Sequence, residues 1–155
     1  MRSRPCPTAL AAAVLVLTLG GCDTSTPDGG GTCASIGVPD VGSVTATTPA
    51  GPFQTACANV TSGSGDILFI AREPGSGALG GATVEIYVAS TGPGTYPLGD
   101  GASSSAAFGP SPGATVAARS GSVTVESFEG GLRGTFAFVT LTGAEVTGGR
   151  FDLDL

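Results

Sequence analysis

The sequence predicts an all-β protein: an antiparallel β-sandwich or small β-barrel of about eight or nine strands that ends in a four-stranded meander. Short runs rich in Val, Ile, Phe and Thr recur between clusters of Gly, Pro and Ser, and beyond residue 33 no segment keeps a helical period over the length that a helix needs. Glycine is abundant, with 27 of 155 residues, and charged residues make up only 12%. This composition favours strands and turns over helices.

The first 21 residues predict a cleaved leader. Arg2 and Arg4 precede an apolar run of 11 residues from Ala9 to Leu19. This run is too short to cross a bilayer, because a spanning helix needs about 20 apolar residues. A positive start followed by a short apolar run is typical of a secretory signal peptide.

The leader ends in Leu19-Gly20-Gly21-Cys22, which matches the lipobox of bacterial lipoproteins. We expect cleavage between Gly21 and Cys22 and lipidation of Cys22; the alternative is an ordinary secretory leader. Several acyl chains would anchor the protein stably, since each buried methylene contributes about 0.8 kcal/mol and one chain binds only marginally. The expected location is the cell envelope, at the inner or the outer membrane, with the domain in the periplasm or at the cell surface.

The mature chain divides into a tether and one domain. Residues 23–32 are rich in Thr, Asp and Gly and lack apolar periodicity, which predicts a flexible linker. The expected organisation is therefore a signal peptide (1–21), a lipidated cysteine with its tether (22–32) and a single all-β domain (33–155).

Two cysteines remain for the domain. Cys6 leaves with the leader and Cys22 takes the lipid, so Cys33 and Cys57 are expected to form a disulfide in an oxidising compartment. Closing this loop would stabilise the fold by about 3.5 kcal/mol in the chain-entropy model. Metal ligation is the alternative, but it requires further Cys or His ligands, and the chain has no His.

The first half of the domain contains four expected strands. The run Asp66–Arg72 is apolar at both parities, which predicts a central strand covered on both faces. The run Thr83–Ala89 alternates, so Val84, Ile86 and Val88 are expected to face the core. The expected strands are Gly42–Thr47, Phe53–Val60, Asp66–Arg72 and Thr83–Ala89.

The second half predicts the meander, because glycine-containing dipeptides separate its strands and suit tight hairpins. Gly148-Gly149 interrupts the last strand and predicts a bulge. The expected strands are Thr115–Arg119, Ser122–Phe128, Leu132–Thr140 and Glu145–Leu155, with turns at Ser120-Gly121, Gly130-Gly131 and Thr142-Gly143. The expected inward residues are Val116, Ala118, Val123, Val125, Phe136, Phe138, Phe151, Leu153 and Leu155.

Four motifs in this part of the chain carry a resemblance. They are Gly94-Thr95-Tyr96-Pro97-Leu98, Ser120-Gly121-Ser122-Val123-Thr124-Val125, Gly134-Thr135-Phe136-Ala137-Phe138 and Thr147-Gly148-Gly149-Arg150-Phe151. Together with the leader, this pattern resembles a group of Gram-negative lipoproteins that have a C-terminal all-β domain of unknown function. The resemblance implies the fold and the location and transfers no site.

Composition limits the possible chemistry. After removal of the leader, four arginines face twelve acidic side chains, a balance that argues against nucleic acid as a partner. The absence of His and Lys removes the usual general bases and the Schiff-base amine, so we expect a non-enzymatic protein without a cofactor. Three polar sites are expected to be structural: the solvated pair Asp152 and Asp154, the turn residue Asp100 and the loop Ser103–Ser105.

Binding remains open at the level of the sequence. Tyr87 is expected on an outward face, and Tyr96 and Phe53 lie near expected strand ends, so these three could form an aromatic platform for a sugar or a peptide. The sequence therefore predicts a membrane-anchored envelope lipoprotein with a structural or protein-interaction role. A module that binds glycans or small ligands is the alternative.

Overall fold

The computed structural model describes residues 32–75 and 80–155. The predicted leader, the lipidated Cys22 and tether residues 23–31 lie outside the described residues. Within these ranges the chain forms one short 3₁₀ helix and nine antiparallel strands, which confirms the all-β prediction. The helix is Cys33–Ile36, and the strands are β1 (Asp40–Thr48), β2 (Gly51–Ser62), β3 (Ile67–Arg72), β4 (Thr83–Val88), β5 (Gly94–Gly99), β6 (Ser105–Gly109), β7 (Val116–Ser127), β8 (Leu132–Thr140) and β9 (Glu145–Leu153).

Eight of these strands close a barrel. The order around the ring is β1, β2, β3, β4, β6, β7, β8 and β9, and β9 pairs with β1 to complete it. Apart from the step over β5, each strand pairs with the next one in the chain, as in an up-and-down barrel. Of the two architectures that the sequence left open, the closed ring is the one observed.

Two long strands turn the corners of the barrel. Strand β2 pairs with β1 up to Cys57 and with β3 from Ala58 onward. Strand β7 pairs with β6 through Val116 and Ala117. From Ser120 onward, the same edge of β7 pairs with β5 instead. Strand β5 consequently lies outside the ring, and its Leu98 is buried in the core.

The predicted turn at Ser120-Gly121 is wrong, and the meander has three strands rather than four. Residues 116–127 form the single strand β7, with a register shift against β8 between Ala118 and Ser120. A Cβ atom at Gly121 would collide with the carbonyl oxygen of Ala137 on β8. This glycine therefore permits β7 and β8 to approach each other closely. In the sequence, a glycine with this role cannot be distinguished from a glycine in a turn.

The barrel interior is filled with side chains. An eight-stranded barrel is just wide enough for this, and its inward residues form one apolar cluster that includes the fully buried Phe69, Ile86, Leu132 and Leu153. The predicted alternation of β4 is confirmed, because Val84, Ile86 and Val88 are all buried.

Strands β8 and β9 pack through a reciprocal glycine–phenylalanine arrangement. Gly134 pairs with Phe151, and Phe136 pairs with Gly149, so each glycine faces the ring of the other strand. A Cβ at Gly149 would stand 2.5 Å from the Phe136 ring, and a Cβ at Gly134 would stand 2.5 Å from Cζ of Phe151. Phe136 and Phe151 stack with centroids 6.3 Å apart, and Phe69 of β3 lies 5.0 Å from Phe151. The Gly-x-Phe motifs are therefore packing motifs of the barrel wall.

Two burial predictions are wrong. Strand β3 is buried on its inner face only, since Leu68 is 37% exposed and Ile70 is half-buried. A barrel is one layer that closes on itself, so no second layer covers the outside of β3. Leu155, expected in the core, lies beyond the end of β9 and is 61% exposed.

The predicted bulge at Gly148-Gly149 is confirmed. Phe136 pairs with Gly149 and Phe138 pairs with Val146, so Thr147 and Gly148 together oppose the single residue Ala137. Gly148 has a φ of +60°, in the left-handed region that glycine adopts without cost. The bulge makes β9 bend and leaves a position without a side chain on the outer surface of the wall.

Candidate functional site

The predicted disulfide is confirmed. Cys33 of the 3₁₀ helix is bonded to Cys57 of β2, with 5.1 Å between their Cα atoms. Ile36 and Val38 pack over the bond and form a small apolar cluster separate from the barrel core. The bond fastens the segment that precedes β1 to the corner where β2 passes from β1 to β3.

The predicted aromatic platform is not formed. Phe53 is only 2% exposed and belongs to the barrel core, so its assignment as a surface contact is wrong. Phe53 and Thr55 both point inward from β2, and Pro52 and Gln54 are exposed. The types of these two neighbours made the alternation hard to recognise in the sequence. Tyr96 packs against the core, and Tyr87 lies half-buried on β4.

Both tyrosine hydroxyls are engaged within the fold. Tyr96 Oη donates to the carbonyl oxygen of Gly92 at 2.7 Å and accepts from Ser90 Oγ at 2.9 Å, which fixes the connection between β4 and β5. Tyr87 Oη donates to a carboxylate oxygen of Asp66 at 3.2 Å. Desolvation raises the pKa of Tyr87 above 10.0, and the hydrogen bond to Asp66 and its negative charge add to this effect.

The carboxylates singled out in the sequence have structural surroundings. Asp152 accepts from Nε of Arg133 at 2.8 Å, an exposed ion pair between β9 and β8 that raises the pKa of Arg133. Asp154 lies beyond β9, with its backbone N–H bonded to the carbonyl of Val41. Asp100 stands in the turn after β5, as expected. In residues 32–75 and 80–155, no three His, Cys, Asp or Glu side chains come together in a group that could hold a metal ion.

Part of the predicted serine loop is also structural. Ser104 is 1% exposed, and its Oγ accepts the backbone N–H of Ala89 at 3.1 Å. Ser105 begins β6, a strand that the sequence did not predict. The run of three small polar residues has no strand preference of its own, so its pairing with β4 comes from the tertiary fold.

A groove on the outer surface of β7, β8 and β9 is the concave feature that sequence reasoning missed. It consists of two adjoining depressions of about 280 Å³ each, which share Ala137. The first is lined by Ser122, Thr124, Thr135, Phe136, Gly148, Gly149 and Arg150, and the second by Ser120, Gly121, Phe138, Val139, Glu145, Val146 and Thr147.

The only hint of this groove in the sequence was the alternation of hydroxyl residues with core residues along β7 and β8. That alternation also describes an ordinary solvated face. Only the register brings the hydroxyls together: Thr124 pairs with Thr135, and Thr135 with Arg150.

No helix of the described ranges is long and apolar enough to cross a membrane.

Comparison with known proteins identifies the domain. Residues 53–151 match the family described as Domain of unknown function (DUF6252). The matched residues run from the core residue Phe53 on β2 to Phe151 on β9, and they include the Gly-x-Phe motifs. No curated protein and no solved structure matches the chain significantly. Because the match covers more than half of the sequence, the chain belongs to the DUF6252 family.

Proposed function

We propose that this protein is a lipid-anchored lipoprotein of the bacterial cell envelope, whose barrel acts through its outer surface as a non-catalytic structural or interaction module. The observation that carries the proposal is the stretch Leu19-Gly20-Gly21-Cys22 at the end of a short apolar leader. The disulfide between Cys33 and Cys57 is consistent with an oxidising compartment outside the cytoplasm.

The filled interior of the barrel supports the proposal that the protein acts through its outer surface. Barrels that carry small molecules keep an open interior, whereas here the inward positions are occupied by buried aromatic and aliphatic side chains. The lack of His and Lys in the sequence supports a non-catalytic role, because these residues supply most general bases and amine nucleophiles.

Membrane fractionation of cells that produce the full chain tests the anchor. Wild-type protein is expected in the membrane pellet after a high-salt wash, because acyl chains hold it independently of charge. The variant Cys22→Ala is expected to lose that attachment. Cys6→Ala is the matched control, since Cys6 leaves with the leader. A Cys22→Ala variant that stays in the washed pellet in the wild-type amount would overturn the proposal.

A further inference from the structure

The groove on β7, β8 and β9 has a floor of small residues. Ala137 lies at its centre, opposite the bulge of Thr147 and Gly148 and beside Ser122. A Cβ at Gly148 would meet no atom within 4 Å, so the space above this position is open. Each depression has a volume of about 280 Å³ and is open to solvent, so the groove is shallow.

The walls of the groove carry hydroxyl groups and one cation. Ser122, Thr124 and Thr135 line the half of the groove that also contains Arg150. A hydroxyl both donates and accepts hydrogen bonds, so this lining complements a ligand that is itself rich in hydroxyls. The Thr124 hydroxyl bonds to the Thr95 hydroxyl of β5 at 2.9 Å, which orients it and still leaves it able to make further hydrogen bonds.

The strands that form the groove offer no free edge along it for a peptide to extend the sheet. A peptide that binds a β-sheet commonly adds a strand to a free edge. Strand β8 is paired on both sides, with β7 and β9, and β9 is paired with β8 and β1. Strand β7 is likewise paired with β8 on one side and with β6 and β5 on the other. Recognition in this groove therefore depends on side chains.

Charge indicates what kind of saccharide fits. Within the part of the chain that the structure describes, Arg150 forms no ion pair, whereas Arg133 on the neighbouring strand is bonded to Asp152. An unpaired guanidinium binds a carboxylate through two parallel hydrogen bonds. Glu145 lies in the other depression and repels an anion there, so the charges define a direction along the groove.

We propose that this groove binds a short saccharide of the uronic-acid type, with its carboxylate on Arg150 and its ring hydroxyls on Ser122, Thr124 and Thr135. The assignment goes beyond membrane anchoring, because it names a ligand class and a site on the domain. It does not depend on lipidation, so a failure of the anchor leaves it standing.

Titration calorimetry and amide NMR shifts of the mature full chain in detergent micelles test the site. The probes are digalacturonate, its neutral counterpart galactobiose and a tetra-aspartate peptide. Digalacturonate is expected to bind saturably and to shift the amides of residues 120–124, 135–139 and 145–150. Galactobiose is expected to bind at least about tenfold more weakly, because it lacks the charge-assisted bonds to Arg150.

Three variants locate the ligand. Arg150→Gln is expected to weaken digalacturonate roughly tenfold or more, and Ala137→Phe to abolish binding by filling the exposed floor of the groove. Arg119→Gln is the matched control, because it removes the same charge from an exposed position on β7 outside the groove and is expected to leave the affinity unchanged.

Each of the following results would overturn the proposal. They are no saturable shift with digalacturonate at millimolar concentration, equal affinity for galactobiose, equal affinity for tetra-aspartate, and equal losses in Arg150→Gln and Arg119→Gln. The spectra of the free variants show whether each is folded, and Thr135→Val, which removes a hydroxyl at nearly constant volume, replaces any variant that is not. An unchanged affinity in Thr135→Val would likewise contradict the site.

Discussion

At the scale of single residues, the glycines of the barrel wall make room for aromatic rings. Gly134 and Gly149 each face a phenylalanine on the partner strand, and Gly94 lies under the ring of Tyr96, where a Cβ would stand 3.3 Å from Cζ. These Gly-x-aromatic motifs carried the family resemblance, and the geometry gives them a packing role.

The clearest test of this role is Gly134→Ala. A Cβ at this position would collide with the carbonyl oxygen of Thr124 and with the Phe151 ring, so the variant is expected to lose about 1–3 kcal/mol of unfolding free energy or more. Gly92→Ala is the control, because its Cβ would meet nothing closer than 3.8 Å. Urea unfolding of both variants measures the difference, and equal stabilities would refute the packing argument.

Tyr96 tests a second residue-level claim. Tyr96→Phe keeps the ring but removes the donor to Gly92 and the acceptor for Ser90, so a loss of roughly 1–3 kcal/mol in unfolding free energy is expected. Tyr87→Phe is the comparison, since it removes one longer hydrogen bond at a half-buried site and should cost less. Denaturant unfolding measures the loss of unfolding free energy in each variant, and a larger loss in Tyr87→Phe than in Tyr96→Phe would contradict the prediction.

Tyr87 also predicts a pH effect. Its pKa is raised in the folded protein by desolvation first, and then by Asp66. The neutral phenol is thus favoured by folding, and its contribution to stability is present below the ordinary tyrosine pKa and is lost as the pH rises through the higher folded value. Ultraviolet titration of wild type and Tyr87→Phe is expected to show a late-ionising component in the wild type that the variant loses.

At the scale of elements, the disulfide joins the entry of the domain to a barrel corner. Replacement of both cysteines, Cys33→Ser with Cys57→Ala, is expected to lower the unfolding free energy by about 3.5 kcal/mol, because the unfolded chain regains the freedom of the loop. Chemical reduction of the wild type is the control and should give a similar loss. A double variant as stable as the oxidised wild type would show that the bond contributes nothing.

Sequence patterns predicted the strands whose burial follows local alternation. The alternation of Val84, Ile86 and Val88 along the run Thr83–Ala89 predicts that these three side chains face the core, and all three are buried. The same reasoning failed for β3, because a run that is apolar at both parities carries no information about which face is covered. Strands β5 and β6 were missed because Pro97 and a serine run weaken the local signal, and long-range pairing with β7 and β4 supplies the rest.

The groove could not have been predicted, because it depends on the register of three strands. Thr124, Thr135 and Arg150 are far apart in the sequence and become neighbours only when β7, β8 and β9 pair as they do. The bulge at Gly148 was predictable from the glycine pair, but its position opposite Ala137 was not. The disulfide was predictable because only Cys33 and Cys57 remain once Cys6 is placed in the predicted leader and Cys22 at the predicted lipid anchor.

At the scale of the whole molecule, the barrel is a closed wall around a filled core. Its apolar side chains fill that core, so the proposed recognition uses the outer surface, and the proposed location depends on the predicted leader. With four arginines and twelve acidic side chains from residue 22 onward, the chain has no electrostatic means of holding an anionic membrane, which makes the lipid the basis of the proposed attachment.

The decisive test of the proposed anchor is mass spectrometry of the N-terminal peptide, from full-length protein produced in a bacterial host and extracted from membranes. We expect the mature chain to begin at Cys22 and this residue to carry a diacylglyceryl group with an amide-linked acyl chain. A mature chain that begins elsewhere, or an unmodified thiol at Cys22, would contradict it.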